Sequence, residues 1–164
     1  GKSTFLRSIG IAQVLLQCGM FVPAKTYVNC LYTNILTHFT RREDQQLNSG
    51  RLEEEIIRMN HMIDMVDDRC MLLLNESFAS TTEKEGSVIA GDIIRALYEA
   101  GVDVFMVTHL YAFARNTFEK HPKHALFLSA ERREDGTRTY KMVETKPSHT
   151  SYGLDLYEEL IHPN

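Results

Sequence analysis

The chain has 164 residues, 43% of them hydrophobic and 24% charged, which is the size and balance of one domain, residues 1–164, with a core of its own. Its 18 basic against 22 acidic residues, a formal net charge of −4, exclude the overall basic excess of a typical nucleic-acid-binding domain. Three widely spaced cysteines exclude a disulfide framework and favour a cytoplasmic protein, and no stretch is apolar enough to span a membrane.

The first half of the chain predicts a helix, a strand and a second helix. Apolar residues recur at helical spacing over residues 3–19. Residues 27–39 mix β-branched, aromatic and polar side chains, a pattern that favours a strand. Apolar side chains spaced by four and three then predict an amphipathic helix over residues 52–66. The core face predicted for this helix consists of Leu52, Ile56, Met59, Ile63 and Val66.

The second half of the chain adds strands, helices and a hairpin. Residues 70–74 and 102–108 are short apolar runs typical of buried strands, and a helix is predicted between them, following Gly86. Residues 125–146 predict a hairpin around an Asp-Gly turn, and a short helix is predicted at 153–161. Strands that alternate with helices predict an α/β fold, with a mostly parallel sheet flanked by helices and an antiparallel hairpin near the C-terminus.

The chain begins with Gly1-Lys2-Ser3-Thr4, which matches the last four positions of the phosphate-binding loop G-x-x-x-x-G-K-[S/T]. In such a loop the lysine contacts the outer phosphates, the next hydroxyl binds Mg²⁺, and Thr4 would contact an inner phosphate. Four residues also recur by chance, so this motif alone leaves both interpretations open. If it is functional, the strand and glycine that begin the loop lie upstream of Gly1, and we expect the chain to be a fragment cut within the loop.

Polar residues end both predicted buried strands. Asn75 and Glu76 follow the first of these strands, where an ATPase holds the metal and its hydrolytic water. His109 follows the second strand, where it can reach a γ-phosphate. The alternatives to a catalytic role are a capping asparagine, a solvated glutamate and a structural histidine.

Ser49 and Gly50 precede the second predicted helix. Small residues at a helix N-terminus form an anion site or simply cap the helix. Local sequence favours the cap. The functional alternative is contact with a γ-phosphate held by a second copy of the domain.

Taken together and in order, these stretches resemble the C-terminal ATPase domain of the MutS DNA mismatch repair family, within the ABC-type, P-loop NTPase-like ATPases. The resemblance covers nearly the whole chain. The matching segments, in chain order, are GKSTFLR, GMFVPA, SGR, LLLNES, TTEKEG, VTHL and TSYGLDL.

The resemblance implies ATP and Mg²⁺ as cofactors and ATP hydrolysis as the activity. Gly1, Lys2, Ser3 and Thr4 would bind phosphate, with Ser3 also on the metal. The catalytic carboxylate would be Glu76, the γ-phosphate sensor His109, and the water-mediated metal contact Asn75. Ser49 and Gly50 would complete the nucleotide site of a second ATPase domain. Such a homodimer would drive a DNA clamp through upstream domains that bind double-stranded or mismatched DNA, in the cytoplasm at the nucleoid.

Three departures from the family pattern indicate a divergent member. Asn75 stands where the family usually has aspartate, which removes a charge that helps to hold Mg²⁺. Residues 77–80, Ser-Phe-Ala-Ser, replace a segment that usually contains glycine and arginine, and Gly50 takes the place of the trans-acting serine. Two alternatives therefore stay open. One is the ATPase of another ABC-type class, such as a chromosome-maintenance or transport subunit, and the other is a non-hydrolysing nucleotide-sensing dimerisation module.

Overall fold

In a computed structural model, the structure describes residues 1–39, 50–121, 123–133 and 135–148. Four helices and five strands occur in these ranges. They are α1 (Lys2–Gln17), β1 (Asn34–Phe39), α2 (Arg51–Ile63), β2 (Cys70–Asn75), α3 (Glu83–Glu99), β3 (Asp103–Val107), α4 (Tyr111–Lys120), β4 (Leu128–Arg132) and β5 (Arg138–Glu144).

The first three strands form a parallel sheet in the order β1-β2-β3. In the register of the sheet, Asn75 lies beside Phe39 on one side and beside Val107 on the other. All three strands therefore end at one edge, and the polar residues that follow β2 and β3 meet there. The remaining strands, β4 and β5, pair antiparallel as a separate hairpin.

The central strand β2 divides the core into two layers. Leu72 and Leu74 belong to a cluster with side chains from α2, α3 and α4. Met71 and Leu73 belong to a second cluster, which includes Leu6 of α1. Because neighbouring side chains of a strand point to opposite faces, helices cover both faces of this sheet. The predicted α/β fold, with its parallel sheet and its antiparallel hairpin, is confirmed.

The predicted strand at 27–39 is half as long as expected. Only Asn34–Phe39 is strand, and the backbone before it bonds to side chains of α1. Gln13 donates to the carbonyl of Cys30 at 2.9 Å, and Gln17 accepts from the N–H of Tyr32 at 2.8 Å. The β-branched and aromatic residues of this segment pack against a helix. Alternation of apolar and polar residues does not distinguish such a segment from a strand.

Other element boundaries also differ from the predictions. Helix α3 begins at Glu83 and not after Gly86, because the Thr82 side chain caps it by accepting the N–H of Glu85. Helix α4 was not predicted. The short helix predicted at 153–161 lies outside the described residues.

The core face predicted for α2 was partly wrong. Met59 is 1% exposed, whereas Ile56 and Ile63 are each 43% exposed. The buried residues of α2 are Glu55, Met59 and Met62. The helix contacts the sheet along this narrower stripe, in which an acid occupies one position. Among the described residues, no helix combines the length and the apolar character that crossing a membrane requires.

Candidate functional site

The N-terminus of α1 points toward the edge where the parallel strands end. Gly10 lies against Leu73 in the middle of β2, and one turn earlier the Arg7 guanidinium lies 5.6 Å from the ring centre of Phe39, the last residue of β1. The chain before Arg7 therefore runs toward the edge at which β1 and β2 end.

The start of α1 is uncapped within the described residues. Gly1 is the N-cap, no side chain of the described ranges caps the helix, and its first turn contains no acidic residue. Gly1, Lys2 and Thr4 are exposed, and Ser3 is half-buried. Backbone N–H groups and the positive end of a 16-residue helix thus face an accessible space, beside a lysine and two hydroxyl groups.

Glu76 and His109 meet at the same edge of the sheet. His109 Nε2 lies 2.9 Å from Glu76 Oε1, and their side chains are 64% and 38% exposed. The N–H of Glu76 donates to the carbonyl of Val107 at 2.7 Å, which fixes the start of its loop to the end of β3. Two residues predicted from separate strands thus form one solvent-accessible pair, a carboxylate with an imidazole.

Asn75 presents a polar atom that the described residues leave unused. Its Oδ1 is buried, and within the described ranges it has no hydrogen-bond partner. Such an atom is uncommon in native structures unless a ligand, ion or water completes it. The described part of the chain contains no group of three or more His, Cys, Asp or Glu side chains that could hold a metal. A metal at this edge could use the amide oxygen of Asn75 and the carboxylate of Glu76, together with oxygens of a ligand.

Gly50 lies on the other side of the sheet from α1. It is the N-cap of α2, without a side-chain cap, and two acids, Glu53 and Glu54, lie in the first turn of that helix. The helix packs into the core cluster on the face opposite to Leu6. Ser49 lies outside the described residues.

A buried polar network contacts the loop that begins with Glu76, and it was not predicted from the sequence. His38 at the end of β1 is 2% exposed, and its Nδ1 lies 2.7 Å from the Ser77 hydroxyl. Arg58 of α2 donates to His38 Nε2 at 3.1 Å and to the carbonyl of Phe39 at 3.2 Å. Since an arginine only donates, Nε2 is the acceptor, and Nδ1–H donates to Ser77. His38 is therefore neutral in this network.

Glu55 of α2 completes the network. It is 8% exposed, and its Oε2 accepts the N–H of Phe78 at 3.1 Å and the hydroxyl of Ser80 at 2.9 Å. An acid one turn before Met59, on the apolar stripe of α2, was the sequence signal for this contact. This signal was not used in the sequence predictions, because acidic side chains are rarely buried unless they are paired.

The neutral state of His38 predicts a pH dependence of stability. Burial, and then the charge of Arg58, lower the pKa of His38 to about 4 from its usual 6.5. The unfolded chain binds a proton more readily, so this contribution is complete above about pH 6.5 and declines as the pH falls toward 4. By pH 4.5 we expect a loss of about 2–3 kcal/mol in the free energy of unfolding from this group.

Urea denaturation at pH 7.0 and 4.5 measures this loss, with His38→Gln as the control. The glutamine cannot titrate and keeps an oxygen that accepts from Arg58. Wild type should therefore lose more stability than the variant over this interval. Equal losses in the two proteins would show that His38 is not held neutral.

Comparison with known families identifies the chain. A model of the family described as MutS domain V matches residues 1–164, which is the whole chain. The chain belongs to the MutS domain V family. The resemblance found in the ordered motifs is thereby confirmed.

Individual MutS relatives agree over nearly all of the chain. It is 24% identical over 168 residues to the DNA mismatch repair protein MutS of Oceanobacillus iheyensis, covering 98% of the chain and 19% of the relative. It is 29% identical over 162 residues to that of Thermotoga petrophila, covering 95% and 20%. A mitochondrial DNA mismatch repair protein mutS homolog of Sarcophyton glaucum is 24% identical over 163 residues, covering 99% and 16%. The chain thus spans about a fifth of the length of these relatives.

This MutS domain brings several of the predicted site residues to one place. Asn75, Glu76 and His109 lie at one edge of the sheet, and the α1 N-terminus with Gly1–Thr4 is directed toward it. Gly50 belongs to a helix on the opposite face.

Proposed function

We propose that this chain is the ATP-binding and ATP-hydrolysing part of a MutS-like DNA mismatch repair protein. The observation that supports this most strongly is the Glu76–His109 pair, 2.9 Å apart, at the carboxyl edge of a parallel sheet in a chain of the MutS domain V family. Ligands of open α/β sheets bind at this edge. Phosphoryl transfer mainly needs groups held in position there.

In this proposal the N-terminus of α1 binds the triphosphate. Its free N–H groups and the Lys2 ammonium neutralise the phosphate charge, while Gly1 allows the backbone to approach closely and Thr4 donates to an inner phosphate. In a complete phosphate loop, residues before the Gly-Lys pair also contact phosphate, so Gly1–Thr4 would supply only the last part of such a site.

A magnesium ion fits the oxygen atoms available at this edge. The Ser3 hydroxyl would bind it directly. The buried Oδ1 of Asn75, which has no partner among the described residues, would bind one of its waters. When bound, Mg²⁺ neutralises charge on the phosphates during transfer. Because Asn75 is neutral, we expect weaker metal binding here than with aspartate.

Glu76 and His109 act on the reaction itself. The Glu76 carboxylate accepts a hydrogen bond from the attacking water and orients it toward the γ-phosphate. His109 is close enough to Glu76 to share that water, and its ring donates a hydrogen bond to a γ-phosphate oxygen.

The same proposal assigns Ser49 and Gly50 to a second copy of the domain. Gly50 starts a helix that packs on the face opposite to α1, and in this proposal it contacts the nucleotide of a partner. Glu53 and Glu54 in the first turn of α2 weaken this anion site. The dimer would couple hydrolysis to DNA binding by the rest of the protein.

A non-hydrolysing, nucleotide-sensing module is the second candidate. It is favoured by Asn75, which supplies no carboxylate to the metal. The two candidates agree on binding and differ on turnover.

Binding of a fluorescent, non-hydrolysable ATP analogue with Mg²⁺ tests the nucleotide site. We expect the 164-residue chain to bind weakly and a chain extended upstream of Gly1 to bind at least about tenfold more tightly, because the added loop supplies backbone donors. In the extended chain, Lys2→Ala should weaken binding by about tenfold or more, since a charge-assisted phosphate contact is lost.

Lys141→Ala, on strand β5 of the hairpin, is the matched control and should bind like wild type. Equal, tight binding by the short and extended chains would show that upstream residues contribute nothing. Unchanged binding by Lys2→Ala would remove the phosphate site from this position.

A further inference from the structure

The loop that follows β2 has a backbone that its own residues do not favour. Glu76 has φ of 56° and Phe78 has φ of 64°, both in the left-handed region and neither a glycine. Such residues cost about 1–3 kcal/mol each and persist only where the surroundings hold them. Something must therefore fix this loop, and with it the direction of the Glu76 carboxylate.

The Val107 carbonyl holds only the first residue of the loop, through the N–H of Glu76. The far side is held by α2, where one oxygen of Glu55 accepts both the N–H of Phe78 and the hydroxyl of Ser80. Both contacts are within hydrogen-bonding distance, and the first is buried. Glu55 thus binds the second strained residue directly, two positions after Glu76.

Ser77, between the two strained residues, is held from a different element. It is 1% exposed, and His38 of β1 donates to its hydroxyl at 2.7 Å. Arg58, one turn after Glu55 on α2, fixes the His38 ring from the other side. The loop is therefore fastened at successive residues by β3, β1 and α2.

We propose that Glu55 is a positioning residue for ATP hydrolysis, which holds the loop after β2 so that the Glu76 carboxylate stays beside His109. This inference rests on the function proposed above. A carboxylate buried at 8% exposure loses solvation, and two charge-assisted hydrogen bonds to the loop offset that loss. Through Glu55, the helix that begins at Gly50 is fastened to the loop that orients the reactive group.

Steady-state kinetics of ATP hydrolysis in the upstream-extended protein tests the proposal. Glu55→Ala should lower kcat by about 10- to 100-fold and leave KM within about threefold, since misalignment affects the reacting water more than the nucleotide. Glu55→Gln should stay within about threefold of wild type, because its amide oxygen accepts the same hydrogen bonds. Glu99→Ala, at an exposed glutamate that ends α3, is the control and should not change either constant.

Combining Glu55→Ala with Glu76→Gln distinguishes an effect on the position of Glu76 from a general loss of stability. If Glu55 acts through Glu76, Glu55→Ala should cause no further loss of single-turnover rate in a protein that already carries Glu76→Gln. An equal loss in both backgrounds would overturn the proposal. So would an unchanged kcat in Glu55→Ala.

Amide hydrogen exchange gives a readout that does not depend on hydrolysis. In Glu55→Ala the amides of residues 76–80 should exchange about tenfold faster or more, while those of α3 remain as in wild type. Unchanged exchange would overturn the proposal. If Glu55→Ala does not fold, Ser80→Ala removes one of the two bonds at an exposed residue and should give the same changes in smaller degree.

The proposed function and the inference about Glu55 are contradicted by different results. If Glu76→Gln leaves turnover unchanged, the proposed function fails and this inference fails with it. If Glu76→Gln stops turnover while Glu55→Ala does not lower kcat, only the inference about Glu55 fails.

Discussion

Gly86→Ala is expected to destabilise the protein by about 2–3 kcal/mol, although alanine is the better helix former by about 1 kcal/mol. A Cβ built at Gly86 would lie 2.5 Å from the carbonyl oxygen of Phe78 and 3.1 Å from Leu110 Cδ2. The nearer contact is backbone and has no rotamer with which to move aside. Helix α3 or the loop after β2 must shift, and urea denaturation measures the cost.

The effect should also reach the site, because the Phe78 carbonyl belongs to the loop that begins with Glu76. We therefore expect lower ATP turnover in Gly86→Ala under conditions where it is fully folded. Gly91→Ala is the matched control on the same helix, since the only described atom that its Cβ would meet is Phe113 Cδ2, at 3.9 Å. That variant should be neutral or more stable by up to about 1 kcal/mol. Equal stabilities of the two variants would show that the contact with Phe78 is not tight.

The sequence predicted the parts of the fold that depend on simple periodicity. The unbroken apolar run at β2 indicated burial on both faces, and the structure places Leu72 and Leu73 in different core clusters. Glu76 and His109 were each singled out because they follow a predicted buried strand. The structure brings the two into contact, because the parallel strands β2 and β3 end at one edge. This contact does not test their roles.

The periodicity of apolar residues could not predict tertiary contacts between polar groups. Neither Glu55 nor His38 was assigned to the core from the sequence. They lie 17 positions apart, yet both are buried against the loop that follows β2. Their burial becomes favourable only when Phe78, Ser77 and Ser80 supply the hydrogen bonds, which is a property of the folded chain. Apolar spacing also did not fix which residues of α2 face the sheet. It assigned Ile56 to the core, whereas the structure leaves Ile56 43% exposed.

The position of Phe78 shows how a local rule can be overridden. A phenylalanine at φ 64° is unfavourable where a glycine would fit without strain. Its side chain is fully buried in the core cluster between the sheet and α3, and this burial offsets the backbone cost. Turn propensities of single residues could not predict this loop, because burial of the Phe78 side chain stabilises its backbone conformation.

ATP turnover by wild type and by Glu76→Gln tests the central claim most directly, in the protein extended upstream of Gly1 and in the presence of Mg²⁺. Glutamine keeps the size of the side chain but cannot take a proton from the attacking water. We therefore expect kcat to fall by at least about 100-fold, with binding of the ATP analogue unchanged within about threefold. Glu119→Gln, an exposed glutamate of α4 paired with Arg115, should hydrolyse ATP like wild type. Turnover by Glu76→Gln equal to that of wild type would contradict the account.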